Sequence, residues 1–200
     1  MNTLLKSATI IDKTSDFHNN KVDILIENGI ISNIDFNIIN PKNYKEINLT
    51  NLHVSRGWFD SSVSFGEPGF EDRETIDNGL KVASRSGFTS IALQPNTNPI
   101  SESRSQIEYI KNKSVNELVE IYPIGALTNF KSELTEMYDM KSGGAICFGD
   151  YKKPIINANT LKLALLYSSN FNGIILSFPE DKVLSNNGVM NENITSTSIG

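Results

Sequence analysis

The stretch Gly57 to Pro99, GWFDSSVSFGEPGFEDRETIDNGLKVASRSGFTSIALQPNTNP, decides the fold. It passes from an apolar segment through an amphipathic one to a second apolar one. Within RETIDNGLKVASRSG, Ile76, Leu80 and Ala83 share one helical face and Gly87 offers a C-terminal cap. IALQP is almost continuously apolar, as a parallel strand covered on both faces must be. The alternation continues through LVEIYPIGAL, GAICFG and GIILSF, so strand follows helix follows strand and a parallel sheet built of βαβ units is expected. No GxGxxG follows a strand, and neither GxxxxGKS nor GxxxxGKT occurs, so a nucleotide-binding doubly wound sheet has no support. A (β/α)8 barrel of the TIM type is favoured.

Residues 54–200 hold about five strand candidates, whereas a complete barrel takes eight strands and about 250 residues. Roughly three strand–helix units are therefore missing, and the chain reads as truncated. An open parallel edge invites association, which calls for a partner, a second copy or a missing C-terminal part. Residues 1–53 have a different texture. LLKSATIID and VDILIENGIISNI read as short strands, and Asn28-Gly29 between two β-branched runs is a hairpin signal. They are expected to form the N-terminal part of a small β-sandwich.

Composition narrows the function classes. Eighteen basic against 23 acidic residues leave a net charge of -5, so there is no positive field for a phosphate backbone and no nucleic acid partner is expected. No apolar run approaches the roughly 20 residues that span a bilayer, and MNTLLKSATIID turns polar too soon for a signal peptide. A cytoplasmic protein without a membrane partner is the expectation. Cys147 is the single cysteine, which excludes an internal disulfide, and its apolar setting in GGAICFGD reads as a buried small hydrophobe.

GWFDSSVSFGEPGFEDRETI followed by GFTSIALQPNTNP resembles the start of the dihydroorotases, within the cyclic amidohydrolase family. EPGFED and PNTNP are two separate signatures at the spacing of one βαβ unit, and the resemblance runs along nearly the whole chain. It implies a barrel of the amidohydrolase kind preceded by a composite β module. It also implies a zinc-dependent hydrolase that opens or closes the dihydroorotate ring in pyrimidine biosynthesis. The family frame is kept at Asp60, Phe65, Glu67, Pro68, Gly69, Glu71, Asn96, Asn98, Pro99, Phe148, Asp150, Glu180 and Asp181.

The departures fall on the chemistry. Where the family has the metal-binding histidines of the first strand, this chain has Ser62 and Ser64, and where it has the fifth-strand histidine, Phe178. A serine hydroxyl is a poor zinc ligand and a phenyl ring offers no lone pair. Asp60 and Asp150 complete what reads as a vestigial metal shell. As oxygen donors they suit at most a weakly held Mg²⁺ or Ca²⁺, so no cofactor is expected. Without zinc the pKa of the attacking water returns from about 7 toward about 15.7, more than eight powers of ten in hydroxide, and a carboxylate base recovers only about two to four of these.

The family arginine that holds the substrate carboxylate aligns with Gly66, leaving Asn96 as a vestigial substrate-binding residue with a second reading as a turn-closing asparagine. His18 reads as a solvated loop residue and His53 as a packed or surface histidine. Ser61, Ser62 and Ser64 have no histidine in their module to act as base. Lys111 to Lys113 and Lys152-Lys153 read as solvated faces. No catalytic residue is assigned. The resemblance suggests a catalytically inactive homologue serving as a structural partner of aspartate transcarbamoylase, or a homo-oligomer. The competing reading is a cyclic amidohydrolase with an altered site.

Overall fold

The computed structural model describes residues 2–185 and 188–199. Its chain divides into two compact units, Met1–Gly57 and Trp58–Gly200. In the first unit, β1 (Thr3–Ile11) pairs antiparallel with β2 (Lys21–Glu27), which pairs antiparallel with β3 (Ile30–Asp35). Asn28 and Gly29 take φ of 54° and 80° between Glu27 and Ile30, the two left-handed residues that a tight hairpin turn requires. The short strands β4 (Lys45–Ile47) and β5 (His53–Ser55) both run parallel to β1, beside Thr3–Leu5 and Thr9–Ile11 respectively. The expected β-sandwich is thus a single mixed sheet, with Ala8, Ile10, Val22 and Ile24 in one apolar cluster and Leu4, Leu25 and Ile38 in another. The division falls after Gly57 rather than after His53, because β5 is bound to β1.

The second unit is the expected parallel sheet. Its strands are β6 (Trp58–Val63), β7 (Phe88–Leu93), β8 (Glu120–Gly125), β9 (Cys147–Gly149) and β10 (Ile175–Leu176), in the order β10-β9-β8-β7-β6. Spatial order follows chain order, the arrangement of a barrel wall, and β6 and β10 stand at its two ends. Helices α1 (Ile76–Arg85), α2 (Arg104–Asn112), α3 (Met137–Gly143) and α4 (Ala158–Ser169) fill the crossovers, and the short α5 (Lys182–Ser185) and α6 (Ile194–Ile199) follow β10. None of the described helices is long and apolar enough to cross a membrane.

Helix α1 begins where the Thr75 hydroxyl accepts from the Asn78 amide and ends with Gly87 at φ 88°. Its buried Ile76 and Leu80 join Ile91, Leu93, Ile110, Val119 and Ile121 in the core between helices and sheet. A second cluster, built on Ile107, Leu127, Met140, Phe148 and Ala164, packs α2, α3 and α4 against β9. Ala92, Ile124 and Cys147 form a separate small cluster of their own. Cys147 is 6% exposed and burial pushes its thiol up to about 11, in keeping with a packing role.

Candidate functional site: the mouth of the half-barrel

The C-terminal ends of β6 to β10 carry the loops in which a barrel of this kind places its chemistry. Two of these loops are bolted together. The Asn98 amide donates to Pro68 O at 2.9 Å, so the EPG and PNTNP segments meet directly. Gly69, at φ 98°, lies so close that a Cβ there would come within 2.2 Å of Asn98 O. Gly66 is equally enclosed: a Cβ would meet Phe70 O at 2.2 Å, because Phe70 N closes a turn onto Gly66 O.

Glu67 is the internal brace of this loop. Its carboxylate accepts from Ile76 N at 2.8 Å, from the Tyr109 hydroxyl at 2.9 Å and from Lys113 Nζ at 3.0 Å, joining the start of α1 to α2 and its C-cap. Burial alone would raise its pKa, but the bonds from Ile76, Lys113 and Tyr109 outweigh it and hold the carboxyl below its ordinary value of 4.5. Lys113, read from sequence as part of a solvated face, is held by this carboxylate.

Ser62, Asp150 and Phe178 line one cavity of about 300 Å³, together with Gln94, Gly149, Tyr151, Lys152, Leu176 and Ser177. Asn96 and Asp150 line an adjoining cavity of about 390 Å³ with Thr128, Phe130 and Lys153. Ser62, Ser64, Asp60 and Asp150 each accept at least one hydrogen bond. Gln94 Nε2 donates to Ser62 Oγ at 3.2 Å, and Asn96 Nδ2 and Arg73 Nη2 both donate to Ser64 Oγ at 2.8 Å. Asp60 Oδ1 accepts from Ser62 N at 3.0 Å. Asp150 Oδ1 accepts from Leu127 N and Thr128 N at 3.0 and 3.1 Å, and its Oδ2 from the Thr128 hydroxyl at 2.6 Å.

This donor set does not fit zinc. Zinc needs lone pairs from imidazole, thiolate or carboxylate, whereas the lone pairs of Ser64 are taken by an amide and a guanidinium, and a fixed positive charge beside Ser64 repels a dication. Among the described residues no three of His, Cys, Asp and Glu gather into a group that could hold a metal ion. His18 and His53 both belong to the first unit. His18 is only partly exposed, with a buried Nδ1 that has no partner among the described residues, so it is less solvated than its polar surroundings suggest. His53 is exposed on β5.

Two site residues, Arg73 and Gln94, escaped the sequence reading. Arg73 donates through Nε at 2.9 Å and through Nη2 to Phe65 O, and reaches Ser64, so a guanidinium is held against the end of β6. Gln94 orients Ser62. Lys152 and Lys153, read as solvated, are exposed and also line the cavities, Lys152 the one of about 300 Å³ and Lys153 the one of about 390 Å³. Asn96 does not close its own turn by its amide; it crosses to Ser64, and the Thr97 hydroxyl bonds Pro99 O at 2.8 Å instead. None of these carries a periodic signal, because loop partners are set by the tertiary fold.

Residues 53–200 match the family described as Dihydro-orotase-like. The dihydroorotase of Pelotomaculum thermopropionicum is 38% identical over all of this chain and 47% of its own length; that of Citrifermentans bemidjiense is 36% identical over all of this chain and 48% of its own. The chain thus spans about half the length of the curated relatives it matches. Among solved structures, the L-hydantoinase (dihydropyrimidinase) of Arthrobacter aurescens superposes with a TM-score of 0.71 at 17% identity, over 87% of this chain and 40% of its own. A crystal structure of a dihydroorotase superposes with a TM-score of 0.57 at 15% identity, over 87% of this chain and 50% of its own. These likenesses establish the barrel wall, and the chain belongs to the dihydroorotase-like amidohydrolase family.

Proposed function

We propose that this chain is a catalytically inactive, cytoplasmic member of its family, which acts in pyrimidine biosynthesis as a structural partner of aspartate transcarbamoylase. The observation that carries the reading is the hydrogen bonding of Ser62 and Ser64: both oxygens accept from neighbouring side chains, one of them a guanidinium, where a metallohydrolase needs donors free to grip a cation. The scaffold around them is intact, with Glu67 braced by three donors and Asp150 by three more. Retention of frame without metal donors suits a protein whose surface, rather than its pocket, is in use.

The test mixes the purified chain with aspartate transcarbamoylase and follows both by size exclusion. Co-elution, with no ring-opening of dihydroorotate by the chain alone, is the expected result. Separate elution would remove the partner, and turnover would remove the inactivity. The altered-hydrolase reading needs Asp60 and Asp150 to hold an oxygen-loving cation, and the three bonds into Asp150 weigh against it.

A further inference from the structure

The chain holds four Asn-Gly pairs, Asn28-Gly29, Asn78-Gly79, Asn172-Gly173 and Asn187-Gly188, of which Asn187 lies outside the described residues. In such a pair the glycine nitrogen stands one ring closure from the carboxamide carbon, and no side chain obstructs it. The sequence ranks the pairs equally; the structure does not. Asn78-Gly79 lies in α1 with Gly79 buried, where the Gly79 N–H donates to Thr75 O at 3.0 Å and the Asn78 carboxamide to Glu74 Oε1 at 3.0 Å. At Asn172-Gly173 the Gly173 N–H donates to Ser168 O at 2.9 Å, and a Cβ on this glycine would come within 2.4 Å of the Phe171 ring. Both glycine nitrogens are thus tied down. Asn28-Gly29 is the hairpin tip between Glu27 of β2 and Ile30 of β3, which pair with each other. The Asn28 backbone N–H donates to Asn2 Oδ1 at 2.8 Å, but among the described residues neither the Asn28 carboxamide nor the Gly29 N–H has a partner. Both residues are exposed, and nothing lies within 4 Å of where a Gly29 Cβ would be.

We propose that Asn28-Gly29 is a deamidation site of the folded chain, and the fastest of the three described pairs. The Gly29 nitrogen attacks the Asn28 side-chain carbonyl carbon and a C–N bond forms. The carboxamide nitrogen leaves as ammonia, with the proton that the Gly29 nitrogen gives up. Water then opens the five-membered imide: cleavage at the side-chain carbonyl leaves aspartate, and cleavage at the main-chain carbonyl leaves isoaspartate. Isoaspartate adds one methylene to the main chain inside a two-residue turn, so the pairing of Glu27 with Ile30 cannot persist. β3 stands at the edge of its sheet and pairs with β2 alone, so it is the element that loosens, while β1, β2, β4 and β5 keep their pairings. The first unit thereby carries a time-dependent modification that is independent of the chemistry at the half-barrel mouth.

The experiment ages the whole chain in mildly alkaline buffer made with heavy-oxygen water, so that each imide opened during ageing is marked. Peptides are then mapped by mass spectrometry, with electron-transfer fragmentation to separate aspartate from isoaspartate. In the folded chain, label should accumulate at Asn28 at least about tenfold faster than at Asn78 or Asn172. In urea, where the bonds that hold Gly79 and Gly173 are gone, the three rates should come within about threefold of one another. Hydrogen exchange of the aged chain should be faster in the β3 peptide of the isoaspartate form than in that of the parent. Freshly prepared Asn28→Asp, which has the charge without the extra methylene, should keep β3 exchange within about threefold of the parent. Equal rates at the three sites in the folded chain, or faster labelling at Asn78 or Asn172, would overturn the assignment. Unchanged β3 exchange in the isoaspartate form would overturn the consequence for the sheet.

Discussion

Glu67 offers the sharpest test of the claim that the EPG loop persists as architecture. Replacing it with alanine removes the acceptor of three donors. Ile76 is fully buried, so its N–H at the start of α1 would be stranded, at a cost of about 1 to 3 kcal/mol. Tyr109 is 43% exposed and the Lys113 side chain 33%, so both can turn to water and add together only about 1 kcal/mol. Glu67→Ala should therefore lose about 2 to 4 kcal/mol, whereas Glu67→Gln, which keeps an acceptor for Ile76, should lose about 1 to 2 kcal/mol.

The pH dependence has a definite sign. The folded-state pKa of Glu67 lies below its ordinary 4.5, so its stabilisation is complete above 4.5 and disappears as pH falls through the lowered value. Urea unfolding followed by circular dichroism, at neutral pH and at successively lower pH, measures both quantities. The deficit of Glu67→Gln should shrink in acid. A Glu67→Ala variant within about 0.5 kcal/mol of the parent, or a Glu67→Gln deficit that ignores pH, would refute the reasoning.

Other perturbations separate frame from chemistry. Asp150→Ala should destabilise by about 2 kcal/mol in urea unfolding and Asp150→Asn by less, because the amide oxygen still accepts from Leu127 and Thr128; a stability gain in Asp150→Ala would point to a strained functional carboxylate instead. Gly66→Ala should cost about 1 to 3 kcal/mol, since its Cβ would come within 2.2 Å of Phe70 O; an unchanged melting curve would mean that the loop opens freely. Cys147, at about 11 against an ordinary 9.0, should carry about a hundredfold less thiolate than an unfolded chain near pH 8, so a thiol reagent should label it slowly until urea is added.

Much of the fold was legible because its signals are local. IALQP and GIILSF are apolar in the manner of covered parallel strands; β7 ends in the first and β10 lies in the second. Ile76 and Leu80 share a helical face, and both are buried in α1. Asn28-Gly29 can hardly be anything but a hairpin turn. The first unit was harder to read, because whether strands stack as a sandwich or join one sheet depends on pairings between distant segments, here β4 and β5 on β1. The site divides in the same way. That Ser62, Asp150 and Phe178 line one cavity follows from their places toward the C-terminal ends of β6, β9 and β10, but no spacing encodes that Gln94 and Lys152 line it too or that Arg73 turns back onto Ser64.

The hydroxyl and phenyl groups at Ser62, Ser64 and Phe178 underlie the proposal of a metal-free, inactive site. The most direct measurement is the zinc content of the chain after saturation with the metal and exhaustive dialysis, paired with an assay of dihydroorotate ring-opening on the same sample. Substoichiometric zinc and no turnover above buffer are predicted. One or more zinc ions held per chain, with measurable turnover, would contradict it.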